Sequence, residues 1–303
     1  MSRASRRYWI RRDLFLYLLL VLPIGHFLLF KYVPMSGVAI AFKEYNLFQG
    51  IFGSPWTGLD NFKEIFSQRE FYQAVRNTIV LNGLDLVIGF PVPIILALLL
   101  NELRQGWYKR TAQTLLYIPH FLSWIIVGGI VLEVLHPTWG LVNILRKDVG
   151  LAPIQFLTVP VNWIATYVTV GVWQSMGWGT IIYLAAITGI NPELYEAAGV
   201  DGAGRLRRIW NITLPGIKST VVVLLILQVG RIAMINFDRP FVLGNQLVFN
   251  VQDVVATFVY RVGLRSARFS VATAVGLFQS VASLFFLLGA DFLARKTGER
   301  GIW

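Results

Sequence analysis

Long apolar runs alternate with short polar stretches along the whole chain, and the runs are of membrane-crossing length. A bilayer core needs about 20 apolar residues per helix. Six segments meet that requirement: Leu14–Val33, Asn77–Asn101, Thr111–Leu135, Asn162–Ile190, Thr213–Phe237 and Phe269–Phe292. The fourth is the clearest, because no charged residue occurs between Asp148 and Glu193. The second carries Asp85, and the fifth carries Arg231 toward its far end. Pro23, Pro91, Pro93 and Pro119 fall inside spans, which membranes tolerate where neighbouring helices satisfy the freed carbonyls. The stretch from Pro34 to Tyr72 is long enough to fold on itself. Leu59, Phe62, Ile65 and Phe66 recur there near helical spacing, with Asp60, Lys63 and Glu64 between them. That pattern predicts a short amphipathic helix, packed on its own chain or offered to an external partner. No repeat or linker divides the chain. The expectation is an all-α integral membrane protein with six transmembrane helices forming one domain over 1–303. An anchor helix and outer loop occupy 1–72, and the core occupies 73–293.

Composition agrees with the pattern. Of 303 residues, 55% are hydrophobic and 14% charged, with mean hydropathy +0.60; soluble domains average about 25% charged. The net charge of +11 raises the possibility of nucleic acid, but no basic stripe lies outside the loops. Membrane proteins place Lys and Arg at the cytoplasmic boundary. Arg3, Arg6, Arg7, Arg11 and Arg12 precede the first span without a small-residue cleavage site, so the segment reads as a retained anchor with a cytoplasmic N-terminus. The loops with Arg104, Lys109 and Arg110 and with Arg205, Arg207 and Arg208, and the tail with Arg295, Lys296 and Arg300, then fall inside as well. Arg261, Arg265 and Arg268 would face outside, against the rule. Six spans put both termini in the cytoplasm. The absence of cysteine excludes disulfides, thiolate metal sites and cysteine nucleophiles.

One polar segment stands out between the fourth and fifth spans, within 191–215. Asn191-Pro192 is a helix-start signal, since Asn caps and Pro suits the first helical position. Glu193 complements the positive end of the helix dipole. Leu194, Tyr195, Ala197 and Ala198 continue a short helix, and Gly199, Gly202 and Gly204 permit a sharp turn. Arg205, Arg207 and Arg208 then open a second amphipathic stretch, and Pro215 marks entry into the fifth span. This is a stiff helix–turn–helix knob with small residues where a partner can approach.

The spacing is Glu196-Ala197-Ala198, three residues including Asp201, then Gly202-Ala203, then Ile212, one residue, and Leu214-Pro215. It resembles the "EAA loop" of ATP-binding-cassette importer permeases. Tyr32-Val-Pro-Met35, Ala41-Phe-Lys-Glu-Tyr-Asn46, Trp56-Thr-Gly-Leu-Asp-Asn-Phe62, Tyr117-Ile-Pro-His-Phe-Leu-Ser-Trp124 and Ala274-Val-Gly-Leu-Phe-Gln-Ser280 are similar to the oligo- and polysaccharide (LplB-type) branch of the maltose-importer class. Nearly the whole chain is covered, the Gly298–Trp303 tail included. The resemblance implies a type I ABC importer permease fold and one half of a two-permease channel, with a second homologous permease, favouring a heterodimer. It further implies two ATPase subunits, an extracellular or periplasmic sugar-binding protein, and an oligosaccharide cargo. In the family this loop sits in a cleft of the ATPase: the position of Glu196 makes polar contact, and that of Gly202 gives the turn. The implied mechanism is alternating access in a bacterial plasma membrane.

A polar side chain inside a span is a functional candidate, because burying it is expensive. Arg231 lies about 24 Å beyond Pro215 along a helix, in the outer half of the membrane where cargo would arrive. Gln228 precedes it by three residues, and Asn236 and Asp238 lie further out. Trp173, Gln174, Trp178 and Tyr183 fall near mid-membrane on the fourth span. Aromatic faces stack on sugar rings, while amides and guanidinium bond hydroxyls or carboxylates. Arg231 suits an acidic oligosaccharide; pairing with Asp85, or with an acidic group on a partner, is the alternative. The aromatics serve equally as interface or packing residues.

Other functions find less support. An intramembrane enzyme should cluster its catalytic groups, yet His26, His120 and His136 are isolated. Glu133 and His136 form one i, i+3 pair without the second pair a bundle metal site needs, so no metal is expected. A secondary transporter should show matched broken helices. No Gly-x-x-x-x-Gly-Lys-Ser/Thr loop is present, so ATP and Mg belong on partner subunits, and this chain carries no cofactor. An ATPase-independent channel remains the alternative, in which the loop would have no purpose.

Overall fold

The structure, a computed structural model, describes residues 13–104, 106–296, 298 and 301. The arginines from Arg3 to Arg12, Arg300 and most of the tail lie outside them. Among the described residues the secondary structure is helical, with one isolated antiparallel bridge between Lys43 and Trp56. In chain order the helices are α1 (Leu14–Phe42), α2 (Asp60–Ser67), α3 (Arg69–Glu102), α4 (Trp107–Phe121), α5 (Trp124–Val134), α6 (Leu141–Asp148) and α7 (Pro160–Thr188). They continue as α8 (Pro192–Val200), α9 (Arg205–Gly230), α10 (Asp238–Leu243), α11 (Gln246–Gln252), α12 (Val255–Arg265) and α13 (Phe269–Lys296). Of these, α1, α3, α7, α9 and α13 are each long and apolar enough to cross a membrane. The chain divides into two units, Met1–Ser67 with Val262–Leu277, and Gln68–Arg261 with Phe278–Trp303.

Two expectations need correction. The predicted third span, Thr111–Leu135, is not one rod: α4 and α5 meet at a bend of 103°. Pro119 has no N–H for the carbonyl of Leu115, so α4 ends in a 3₁₀ turn over Ile118–Phe121. The Ser123 side chain then accepts from the Ile126 amide at 3.4 Å and starts α5 afresh. The region 238–268, read from sequence as an outer loop, is mostly helical, with α11 and α12 bent by 116°. Each piece is too short to give a spanning pattern.

In the first unit, no residue of α1 before Ala41 is buried, as befits a helix apolar all round that faces lipid or a partner. The amphipathic α2 packs on its own chain. Ile65 is buried, Asn61 donates to the carbonyls of Ala41 (2.9 Å) and Lys43 (3.1 Å), and the rings of Phe42 and Phe62 lie 5.4 Å apart. Arg268 is ion-paired with Glu64.

In the second unit, α7 is the central helix. Trp163 and Tyr167 pack with Leu81, Val127, Val131, Leu243, Val248 and Val254, and the buried Trp163 indole donates to the Leu243 carbonyl at 2.8 Å. The bend between α11 and α12 is held by Asn77, whose amide donates to the carbonyls of Asn250 (3.0 Å) and Asp253 (2.9 Å). Arg261 bonds both Glu70 (2.7 Å) and Asp253 (2.9 Å). Arg261 and Arg268 are thus matched by acids, but the positive-inside rule counts Lys and Arg and not net charge, so this loop remains an exception to it.

Candidate transport cavity and coupling loop

The second unit contains a polar recess between α3, α7, α9 and α10. It consists of a cavity of about 400 Å³ and a neighbouring one of about 270 Å³ that share Asp85, Ser175, Gln228, Arg231 and Arg239 on their walls. Its placement begins with prolines. Pro91 and Pro93 deprive α3 of two amide donors, and the helix widens into a π segment over Asp85–Gly89 just before them. That segment carries Asp85.

Asp85 is held by Arg239, not by Arg231. Nη1 of Arg239 lies 2.7 Å from Oδ2 and Nη2 lies 3.1 Å from Oδ1, a two-pronged ion pair. Arg239 also donates to the Tyr167 carbonyl, and its guanidinium sits 3.6 Å from the centre of the Tyr167 ring. Room for it comes from Gly171, where a Cβ would fall 2.1 Å from Nη2. The pairing of Asp85 with Arg231 considered from sequence is therefore excluded in this structure. Arg239 was not singled out because it follows the apparent end of the fifth span, where an arginine reads as a boundary charge. The signal that could have found it is Asp85 itself, since an intramembrane acid demands a basic partner.

Arg231 closes α9, whose last helical residue is Gly230, and its side chain is exposed to both cavities. Past the helix end the chain turns back over residues 231–234, and Asn82 on α3 donates to three of the four carbonyls of that turn: Arg231 at 3.4 Å, Ile232 at 2.7 Å and Met234 at 3.0 Å. Gln279 donates to the fourth, Ala233, at 2.7 Å. Asn82 thereby fixes the turn that presents Arg231. Replacing it with Ala should destabilise that turn by about 1–3 kcal/mol. The expected readout is weaker cargo-stimulated turnover with normal assembly; unchanged stimulation would show that the turn holds without Asn82.

Of the other residues named from sequence, Gln174 and Asn236 line the smaller cavity, Gln228 both, and Trp178 and Tyr183 the larger. Tyr183 is nearly buried and packs with Ala97, Ile187 and Ile217. Trp178 is half exposed, and its other contact is a parallel stack on His120, with centroids 4.8 Å apart. Trp173 lines neither cavity; one residue from Gln174, it sits about 100° around the helix. Among the described residues no group of three or more His, Cys, Asp or Glu could hold a metal ion.

The segment 191–215, expected from sequence to be a coupling loop, is a separate knob. The side chain of Asn191 accepts from the Glu193 amide at 3.1 Å and starts α8. Gly202 stops the turn in the left-handed region, φ +72°, where a Cβ is costly. The Ala203 amide bonds back to Ala198 at 2.8 Å, and Arg208 Nε donates to the Ala203 carbonyl at 2.9 Å. Tyr195 Oη lies 2.9 Å from the buried Thr213 Oγ1, tying α8 to α9. α9 runs from Arg205 straight through Pro215, widened to a π turn over Ile209–Thr213 ahead of the proline. The motif residues divide accordingly. Glu196, Ala197, Asp201 and Gly202 are exposed, Ala198 and Ala203 half-buried in the turn; Ile212 and Leu214 are half-buried at the base, and Pro215 is exposed. Glu196 has no side-chain partner among the described residues. Leu194, Val200, Leu206 and Trp210 are all more than half exposed, an apolar surface on a polar knob that suits a protein partner.

Helices long and apolar enough to span a membrane, a polar recess between α3, α7, α9 and α10 and a protruding knob define a membrane transport permease. The family model described as the binding-protein-dependent transport system inner membrane component matches residues 89–299, and the chain belongs to that family. It is 47% identical over 289 residues to the polygalacturonan/rhamnogalacturonan transport system permease protein YteP of Bacillus subtilis (strain 168), covering 95% of this chain and 90% of that one. It is 43% identical over 295 residues to Protein LplB of the same organism, covering 97% and 92%. Its fold matches a chain in the crystal structure of a bacterial alginate ABC transporter in complex with an alginate pentasaccharide-bound periplasmic protein, with TM-score 0.88, 40% identity, and 97% and 98% of the two chains covered. It is a transport subunit of a binding-protein-dependent importer, located in a membrane, and neither an enzyme nor a stand-alone channel.

Proposed function

We propose that this chain is one of two different permeases in an importer that carries acidic oligosaccharides across the bacterial plasma membrane. Two ATP-binding-cassette subunits bind ATP and Mg and engage the knob around Glu196, with both termini on their side of the membrane. An extracellular sugar-binding protein delivers the cargo. The observation that carries this reading is Arg231, a guanidinium exposed in the recess with no carboxylate partner among the described residues, beside Gln174, Gln228 and Asn236. Amides bond hydroxyls, the half-exposed Trp178 offers an aromatic surface, and a free guanidinium selects carboxylate. Polygalacturonan and alginate, in the descriptions of the relative and of the structural neighbour, are both acidic polymers. The importer class supports the partner set, because a chain without a phosphate-binding loop must receive its energy from elsewhere.

The test is reconstitution with partner permease, ATPases and binding protein, followed by ATPase stimulation with free and methyl-esterified trigalacturonate. The free acid should stimulate, and Arg231→Gln should weaken its half-maximal concentration about tenfold, equivalent to losing one charge-assisted bond of roughly 1.4 kcal/mol. The ester should be little affected by the substitution. Equal responses to acid and ester in the unaltered complex would reject the acidic cargo.

A further inference from the structure

Two guanidinium groups line the same recess in different states. Arg231 is exposed and has no carboxylate partner among the described residues. Arg239 is held from three sides by the Asp85 carboxylate, the Tyr167 carbonyl and the Tyr167 ring, in a slot that exists because residue 171 has no side chain. Among the described residues, Asp85, Arg231 and Arg239 are the only Asp, Glu, Lys or Arg side chains lining the two cavities, and no described His lines either. The wall contributed by this chain therefore carries one net positive charge, and without Asp85 it would carry two.

We infer that Asp85 is a specificity-determining residue: it cancels Arg239 and leaves Arg231 as the single cation presented to the cargo. The inference rests on the acidic-cargo reading above. A fixed, partly desolvated guanidinium with its fork unoccupied is a strong bidentate carboxylate site. Conduction requires binding firm enough to admit cargo yet weak enough to release it. A second free guanidinium beside Arg231 would hold a polyanion at two points and slow its departure. Asp85 fills that fork permanently. The π segment ahead of Pro91 brings the carboxylate to Arg239 on α10.

The experiment uses the same reconstituted complex and reads one ratio, the half-maximal concentration for methyl-esterified trigalacturonate over that for the free acid. The binding protein's own preference is common to all variants and cancels. Asp85→Asn should raise the ratio about fivefold or more, as expected for one added unit charge close to the cargo in a medium of intermediate dielectric. The maximal rate with the free acid should fall at the same time, because bound cargo leaves more slowly. A purely structural role would lower rates for acid and ester alike and leave the ratio still. The double variant Asp85→Asn/Arg239→Gln removes both charges, leaves no unpaired buried ion, and should return the ratio to that of the unaltered complex. An unmoved ratio in assembled Asp85→Asn overturns the inference. So does a double variant that loses its preference for acid, since Arg239 would then be the cargo's cation. Where Asp85→Asn fails to assemble, Asp85→Ser takes its place in the same comparison, and an unmoved ratio in that assembled variant overturns the inference equally. An unaltered complex indifferent to esterification defeats the acidic-cargo reading instead, and a raised ratio in Asp85→Asn would still show the masking.

Discussion

In the proposed assembly, Glu196→Lys should uncouple the permease from the ATPase subunits, lowering binding-protein-stimulated ATP hydrolysis about thirtyfold or more. Reversing a charge that meets a partner's polar group costs upward of about 2 kcal/mol, and each 1.4 kcal/mol is tenfold. The structure makes the site a clean one to test. Glu196 is exposed on α8, has no side-chain partner among the described residues, and contributes nothing visible to the fold of the knob. That fold depends instead on the Asn191 cap, the left-handed Gly202, the Arg208–Ala203 bond and the Tyr195–Thr213 contact. The variant should therefore insert and pair with the second permease normally. Stimulated ATPase activity equal to that of the unaltered complex would show that the ATPases engage elsewhere. Loss of the assembled permease pair would show that Glu196 has a structural role absent from this chain in isolation.

The knob was legible in the sequence because local signals dictate it. An Asn-Pro helix start, a glycine where φ must be positive, and a run of polar residues between two apolar ones need no knowledge of the remainder of the fold. The same holds for α3, α7 and α13, whose apolar runs exceed the bilayer requirement. The bend between α4 and α5 was less accessible. A proline inside an apolar run is compatible with either a kinked span or a broken one, and the choice depends on whether neighbours satisfy the freed carbonyls. Here Ser123 restarts the helix, so the break wins. The pieces α10 to α12 are hidden for a different reason: each is too short to register as a span, and their burial comes from packing on α3, α5 and α7.

The recess was legible by residue type and illegible by phase. Gln174, Trp178, Gln228, Arg231 and Asn236 are polar or amphipathic residues in apolar surroundings, and all reach the cavities. Trp173 fits the same description and does not. A helix that is apolar on every side gives no periodicity from which to read its inward face. The partner of Asp85 was missed because Arg231, inside the apparent span, was the arginine weighed for it, while Arg239, eight positions on, read as a boundary charge. What separates them is three-dimensional: Gly171 opens a slot for one, and the end of α9 turns the other into open space.

Gly177 should be the least replaceable glycine of α7. A Cβ built there would lie 2.0 Å from the carbonyl oxygen of Leu116 and 2.6 Å from its carbonyl carbon. Both belong to the backbone of α4, so no rotamer change can relieve the clash. At Gly171 and Gly179 the obstructing atoms are side-chain atoms of Arg239 and Pro93. Close backbone approach at glycine is how membrane helices gain packing contact, and this contact sets α4 against α7 just where Pro119 ends the first half of the broken pair. Moving the two apart would also disturb the His120–Trp178 stack, so the damage would spread to the recess. Overpacking of a well-filled interior costs about 1–3 kcal/mol when side chains can adjust; with backbone on the other side, Gly177→Ala should reach the upper end of that range and Gly177→Leu should prevent assembly. Gly129→Ala on α5, where a Cβ meets nothing within 4 Å, is the matched control and should assemble as the unaltered chain does. The measurement is the thermal midpoint and monodisperse yield of the purified complex. A Gly177→Ala complex as stable as the Gly129→Ala one would mean that α4 and α7 can separate freely, and that their close approach is not what holds the recess in shape.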